Sequence, residues 1–373
     1  MSNDWSSDVC SSDLDLFGIT RGLNVWKESA LYYLVDASKP MYNSAFDTLD
    51  PSQSRGTIMT LDLSNSQIED ERIRFHYITS KNPGSGWLQD GVSLAYGLSE
   101  TYDYYLENHG RNSIDGKAGK ILGFVRYGLN YNNAFWSSDF NAVFLGNAEP
   151  YAGALDIVAH ELTHGVTSYM CNLIYKDQSG ALNESFSDIF GEMVEARTYG
   201  GTDWIMGTEL EMPLRDLKDP SSLEFRPGYA YPSKMSEYIV TTQDNGGVHW
   251  NCTIVAHAFY LLAEGLNGAV GLQDAAEIFF RAQTVHLVSN SQFIDVRLAC
   301  IASAEELFGE NSVQASKTAE AFDIVEIYRQ DPTPEPPPAG PVNASDSAIF
   351  ICWENGGYYL DRYEEGVEYY LSA

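Results

Sequence analysis

The chain has 373 residues, 44% of them hydrophobic, which is enough for a large core and for two domains or lobes. Its 52 acidic residues against 22 basic ones leave a net charge of −30, so nucleic acid and anionic membranes are repelled as partners. The five cysteines (Cys10, Cys171, Cys252, Cys300, Cys352) form no CxxC pair, which excludes a cysteine zinc knuckle or a thioredoxin-like redox pair, and no apolar run reaches the roughly 20 residues of a membrane span.

Residues 1–15, "MSNDWSSDVCSSDLD", are Ser/Asp-rich and lack the basic start and apolar stretch of a signal peptide. They read as an atypical or artefactual start, outside the fold. From Gly22 to Leu63 the pattern is strand-like, with "ALYYLVDAS" and "GTIMTLDLS" rich in β-branched and aromatic residues between turns. "GVSLAYGLSETYDYYLENHG" repeats its apolar residues near every 3.6 positions and reads as a helix stopped by Gly110, and "KILGFVRYG" reads as a strand. Helices are expected at 152–172 and 181–198, the second stopped by Gly200-Gly201. A loop-rich stretch follows to 247, and then four helical patterns, among them "VRLACIASAEELF", where Cys300 reads as a core residue.

This order predicts an α+β protein: a β-rich lobe over 16–172 and a helical lobe over 173–330. "DPTPEPPPAGP" around 331–341 reads as a polyproline-type linker, and 342–373 alternates like strands and reads as a truncated accessory domain.

The chemistry concentrates in "VAHELTHGVTSYM". On a helix, His160 and His164 share a face and can direct two imidazoles at one ion, while Glu161 between them is placed to take a proton rather than to ligate. "GALNESFSDIFGEMVEA" carries Glu184 and Asp188 at i and i+4. Glu184 can complete a His₂Glu set with one position left open, as a catalytic zinc needs. Asp188 can accept the other ring N–H of a ligand histidine. Leu182, Phe186, Ile189 and Phe190 imply that this helix is buried, where unpartnered carboxylates are costly.

In order along residues 20–328, "YNNAFW", "HELTHGVTSY", "SGALNESFSDIFGE" and "TQDNGGVH" resemble the thermolysin-like family of secreted zinc endopeptidases, the gluzincins. The resemblance implies a two-lobed fold with the active-site cleft between the lobes, and one zinc on His160, His164 and Glu184. Glu161 would polarise the attacking water and shuttle its proton. Asp188 would orient His160, and Asn183 would support His164. Tyr175 and His249 would stabilise the oxyanion, with Asp244 orienting His249. Arg215 would hold a substrate carbonyl, and Asn133 and Ala134 would pair with an extended peptide. Ile157, Met206 and Leu214 would line an apolar primed-side pocket, so cleavage is expected before a bulky hydrophobic residue.

The resemblance also implies structural calcium on Asp156, Glu192, Glu195 and Asp203, with the Ile205 carbonyl. Ile205 and Thr208 stand where the double-calcium members carry glutamates, which points to one ion and to the pseudolysin and vibriolysin branch. The expected partners are protein and peptide substrates of a secreted monomer. A propeptide belongs to the precursor, and none is visible before residue 15. Two alternatives are a gluzincin aminopeptidase, for which no GAMEN-like stretch is present, and an inactive relative that acts as a binding module.

Overall fold

The computed structural model describes residues 5–46, 49–69 and 71–328, together with two short paired strands, Trp353–Glu354 and Gly357–Tyr358. The linker expected at 331–341 lies outside the described residues. So does the accessory domain expected at 342–373, apart from that strand pair.

The first lobe is built on a mixed sheet in the order β4(Val35–Asp36), β5(Ile58–Asp62), β8(Ile121–Val125), β10(Ala142–Leu145) and β9(Ala134–Ser137), with β6(His76–Tyr77) added to β5. β5, β8 and β10 run parallel, and β9 is antiparallel to β10 at the edge. The central strands are buried at every position because both faces are covered, and apolar side chains fill all of β10 and most of β5 and β8. On one face Phe124, Phe144 and Phe135 stack in succession, with centroids 4.8 and 5.0 Å apart. On the other lies α1(Gln89–His109), which ends as expected on Gly110 in the left-handed conformation, φ 63°.

A second sheet joins β1(Trp5–Leu14), β2(Thr20–Glu28), β3(Leu31–Tyr33) and β7(Thr79–Ser80). The expectation that 1–15 stand outside the fold is therefore not met: residues 5–14 pair antiparallel with β2. Two side chains that are weak strand formers anchor this hairpin. Asp15 accepts N–H bonds from Phe17 and Ile19 and a 2.7 Å ion pair from Arg21, and Asp13 accepts from the Trp87 amide at 2.9 Å. The Ser/Asp-rich composition hid the strand because it is poor in the β-branched and aromatic residues that usually mark one.

The first lobe ends in α2(Leu155–Tyr169), and the second lobe is helical: α2 packs on α3(Asp177–Tyr199), and α3 on α4(Asp244–Tyr260). α5(Leu272–Arg281) and α6(Phe293–Phe308) also contact α3, and α7(Val313–Ile324) packs on α4 and α6. The loop-rich stretch contains two small hairpins, β11(Ile205–Met206) with β12(Arg215–Asp216) and β13(Glu224–Arg226) with β14(Tyr229–Ala230). α3 is enclosed on all sides, so even Glu184, Asp188 and Glu192 are fully buried. Cys300 is buried and unpaired, as are Cys171 and Cys252. No helix among the described residues is long and apolar enough to cross a membrane.

Phe190 fixes α3 against α1 and α5. Its ring lies 5.7 Å from Tyr105, 5.8 Å from His109 and 6.1 Å from Phe280. Phe190→Ala should cost about 3–5 kcal/mol in chemical denaturation. A loss below about 1 kcal/mol would mean that α3 is not held there.

Candidate active site

α2 presents His160 and His164 one turn apart, and α3 crosses with Glu184. The two Nε2 atoms are 3.0 Å apart, and the Glu184 oxygens lie 3.4 Å from His160 Nε2 and 3.3 Å from His164 Nε2. A tetrahedral zinc with ligands at ~2.0–2.1 Å requires neighbouring donor atoms about 3.3–3.4 Å apart. The three donors therefore fit the ion. The buried Glu184 Oε2 has no hydrogen-bond partner, which leaves a lone pair for a cation.

Each ligand is held from behind. His164 Nδ1 is 2.8 Å from Asn183 Oδ1 and 3.1 Å from Ser187 Oγ. His160 Nδ1 is 2.9 Å from Asp188 Oδ1, close enough for an ion pair though not aligned as a hydrogen bond. Asp188 in turn receives both Nε and Nη2 of Arg215 at 2.7 Å. Burial alone would raise the Asp188 carboxyl, but Arg215 and His160 hold it below its ordinary range. Burial likewise favours a neutral His160, yet Asp188 and Glu184 outweigh it and lift the imidazole to about 10. That proton must leave when a metal binds, so metal uptake releases protons here.

Glu161 is buried beside the triangle. Burial raises its carboxyl, although His160 and His164 pull the other way. That moves a carboxylate toward the range of a general base working near neutrality. On the opposite side, the Tyr175 hydroxyl is 3.1 Å from His249 Nε2 and donates to Glu184 Oε1. His249 Nδ1 is 2.5 Å from Asp244 Oδ1, and its backbone N–H donates to Asp244 Oδ2 at 2.8 Å. This geometry needs a tight turn: Asp244, Asn245, Gly246 and Gly247 all have positive φ (49°, 53°, 94°, 75°) before α4 becomes regular. Burial would lower His249, but Asp244 and then Glu184 raise it to about 9.

β9 begins at Ala134 on the sheet edge, with Asn133 just before it. Gly146 N–H donates to Asn133 O at 2.9 Å from the β10 side. Ile157 and Met206 are buried, and Leu214 N–H donates to Met206 O at 2.8 Å. Arg215, expected to reach a substrate carbonyl, spends two of its nitrogens on Asp188.

A second acidic centre lies behind α2 and α3. Ligand oxygens of Glu192, Glu195 and Asp203 fall within 4.8 Å of one another. Asp156 caps the backbone N–H groups of Ile157 and Gly207 beside them, and Ile205 N–H donates to Asp203 Oδ1 at 2.8 Å. Burial and mutual repulsion push Asp156 to about 7, Glu195 to about 8 and Glu192 well above its usual range. The buried Glu192 Oε1 has no partner. An oxygen-only cage that cannot stay ionised by itself fits a hard cation such as calcium.

Two supporting residues escaped the sequence reading. Ser187 stands one turn beyond Asn183, so helical spacing could have found it. Glu209, whose buried Oε2 also lacks a partner, acts electrostatically on Asp156 and Glu195. It sits one position past Thr208, and no local pattern marks it.

A cleft with a His₂Glu triangle, an adjacent carboxylate and a two-lobed scaffold defines the HExxH class of metalloprotein. A family model described as thermolysin metallopeptidase, catalytic domain, matches residues 12–168, and its companion, the alpha-helical domain, matches 171–327. The chain belongs to the thermolysin metallopeptidase family. It is 38% identical over 274 residues to the thermostable neutral protease NprT of Geobacillus stearothermophilus, covering 66% of this chain and 48% of that protein. It is 36% identical over 323 residues to neutral protease NprE of Bacillus pumilus, covering 84% and 98%. Its fold matches the precursor of protealysin, a metalloproteinase from Serratia proteamaculans, with TM-score 0.63 and 30% identity over 73% of this chain and 87% of that one. Apart from NprE, the chain spans about half the length of the relatives named NprT, bacillolysin and thermolysin.

Asp188→Asn tests the support behind His160. It leaves Arg215 buried with no counter-charge, so we expect about 3–5 kcal/mol of lost stability. Zinc affinity, measured by chelator competition, should fall about 10–100-fold. Unchanged zinc affinity would remove Asp188 from the site.

Proposed function

We propose that the protein is a secreted zinc-dependent endopeptidase that cleaves peptide bonds before bulky hydrophobic residues. The observation that carries this reading is the triangle of His160, His164 and Glu184 donors, 3.0–3.4 Å apart, with the Glu161 carboxylate beside it. Zinc held there supplies Lewis acidity and makes water reactive near neutral pH.

The chain's own residues do the rest. An extended peptide pairs with the sheet edge at Asn133 and Ala134, as an added strand would. Its hydrophobic side chain enters beside Ile157, Met206 and Leu214. Glu161 takes a proton from the attacking water and delivers it to the departing amine. Tyr175 and the His249 imidazolium, held by Asp244, donate to the oxygen that becomes negative. Arg215 reaches the substrate carbonyl with the part of its guanidinium not committed to Asp188.

Asp156, Glu192, Glu195 and Asp203, with the Ile205 carbonyl, hold structural calcium. The count of one ion rests on Ile205 and Thr208. Glu209 contributes a carboxylate which that count did not include.

A short-peptide assay tests the reading. Glu161→Gln should lose about 10²–10⁴-fold in kcat while keeping its zinc. Tyr175→Phe should lose about 10²–10³-fold. A Glu161→Gln protein that cuts as fast as the parent would refute the proposed base, and cleavage chiefly at charged residues would refute the pocket. Removing calcium from the Glu161→Gln protein, which cannot digest itself, should lower its melting temperature. Identical melts with and without calcium would remove the ion from the account.

A further inference from the structure

Gly165 directly follows His164 in α2. Glycine is among the poorest helix formers, and this one is buried. A Cβ at this position would lie 2.7 Å from Cη2, 2.9 Å from Cζ2 and 3.0 Å from Cζ3 of Trp136. Those atoms form the rim of a rigid bicyclic ring and cannot fold away as the tip of a flexible chain would.

Trp136 belongs to β9, the edge strand, where it pairs with Val143 of β10. Strand alternation sends Ala134 and Trp136 toward α2, while Phe135 stacks on Phe144 on the far face. The buried indole Nε1 has no hydrogen-bond partner, so no hydrogen bond at that nitrogen fixes the ring. The position is set by contact: the ring edge rests on the bare backbone of Gly165. The indole is thus a spacer. On one side is the helical turn that carries His164, and on the other, two residues back along the same strand, is Ala134.

We infer that Gly165 and Trp136 are positioning residues, and that their direct contact sets the gap between the peptide-receiving strand and the metal-ligand helix. The inference rests on the endopeptidase reading. A methyl group at Gly165 forces the indole outward until its atoms reach ordinary contact, several tenths of an ångström further away, and carries the strand with it. Displacements on the scale of 1 Å at a reacting centre cost about 10²-fold in rate.

The test compares the parent, Gly165→Ala, Trp136→Phe and the double variant, with peptide kinetics, zinc content and thermal melting for each. Gly165→Ala should lower kcat/KM about 10–100-fold with zinc content unchanged, while crowding against the indole lowers its melting temperature. The smaller phenyl ring makes room for the methyl, so the double variant should match Trp136→Phe alone. The inference is overturned if Gly165→Ala keeps kcat/KM within about twofold of the parent. It is equally overturned if the two substitutions act independently in kcat/KM or in melting temperature, or if Gly165→Ala loses zinc. A zinc-loaded parent that cleaves no peptide overturns the endopeptidase reading itself, and this inference with it.

Discussion

Everything in this molecule is arranged around the cost of keeping charge inside protein. Glu184 and Asp188 are fully buried on one helix, and such groups persist only when opposite charge is supplied to them. Arg215 supplies it to Asp188 through a two-pronged ion pair, and the imidazoles of His160 and His164 face Glu184 at 3.4 and 3.3 Å. A cation at the triangle satisfies the remainder. The site is thus a chain of charges, Arg215 to Asp188 to His160, that ends in the open face where Glu161, Tyr175 and His249 converge.

The scaffold follows from this demand. α3 has to be enclosed to keep water from its carboxylates, so α2 and α4 pack along it and α1 and α5 cover it with aromatic rings. The acidic cage behind α2 and α3 applies the same rule with the opposite solution: too many carboxylates and no arginine. There protonation or a hard cation must neutralise what the protein does not. Both centres draw side chains from the same two helices, with Asp203 and Glu209 added to the cage from the loop that follows α3.

The parts legible in the sequence were those encoded by helical spacing. His160 with His164, and Glu184 with Asp188, are four residues apart, and that spacing alone puts each pair on one face. The helices ended at Gly110 and Gly200 as their terminal glycines suggested. What stayed hidden depends on contacts across the fold. The fork of Arg215 closes on a residue 27 positions earlier, and nothing local shows which way a guanidinium turns. The first strand is Ser/Asp-rich and is held by Asp13 and Asp15 rather than by β propensity. Glu209 enters the acidic cage from a loop whose path only the folded chain reveals. Gly165 looks like a flaw in a good helix until Trp136 is seen lying on it.

The central claim is the metal triangle, and zinc-edge X-ray absorption of the purified protein, paired with elemental analysis, addresses it most directly. The account predicts one tightly held zinc per chain, coordinated by two imidazole nitrogens and carboxylate oxygen, and lost together with that signature in Glu184→Ala. Protein that takes up no zinc, or binds it through cysteine sulfur, would contradict it.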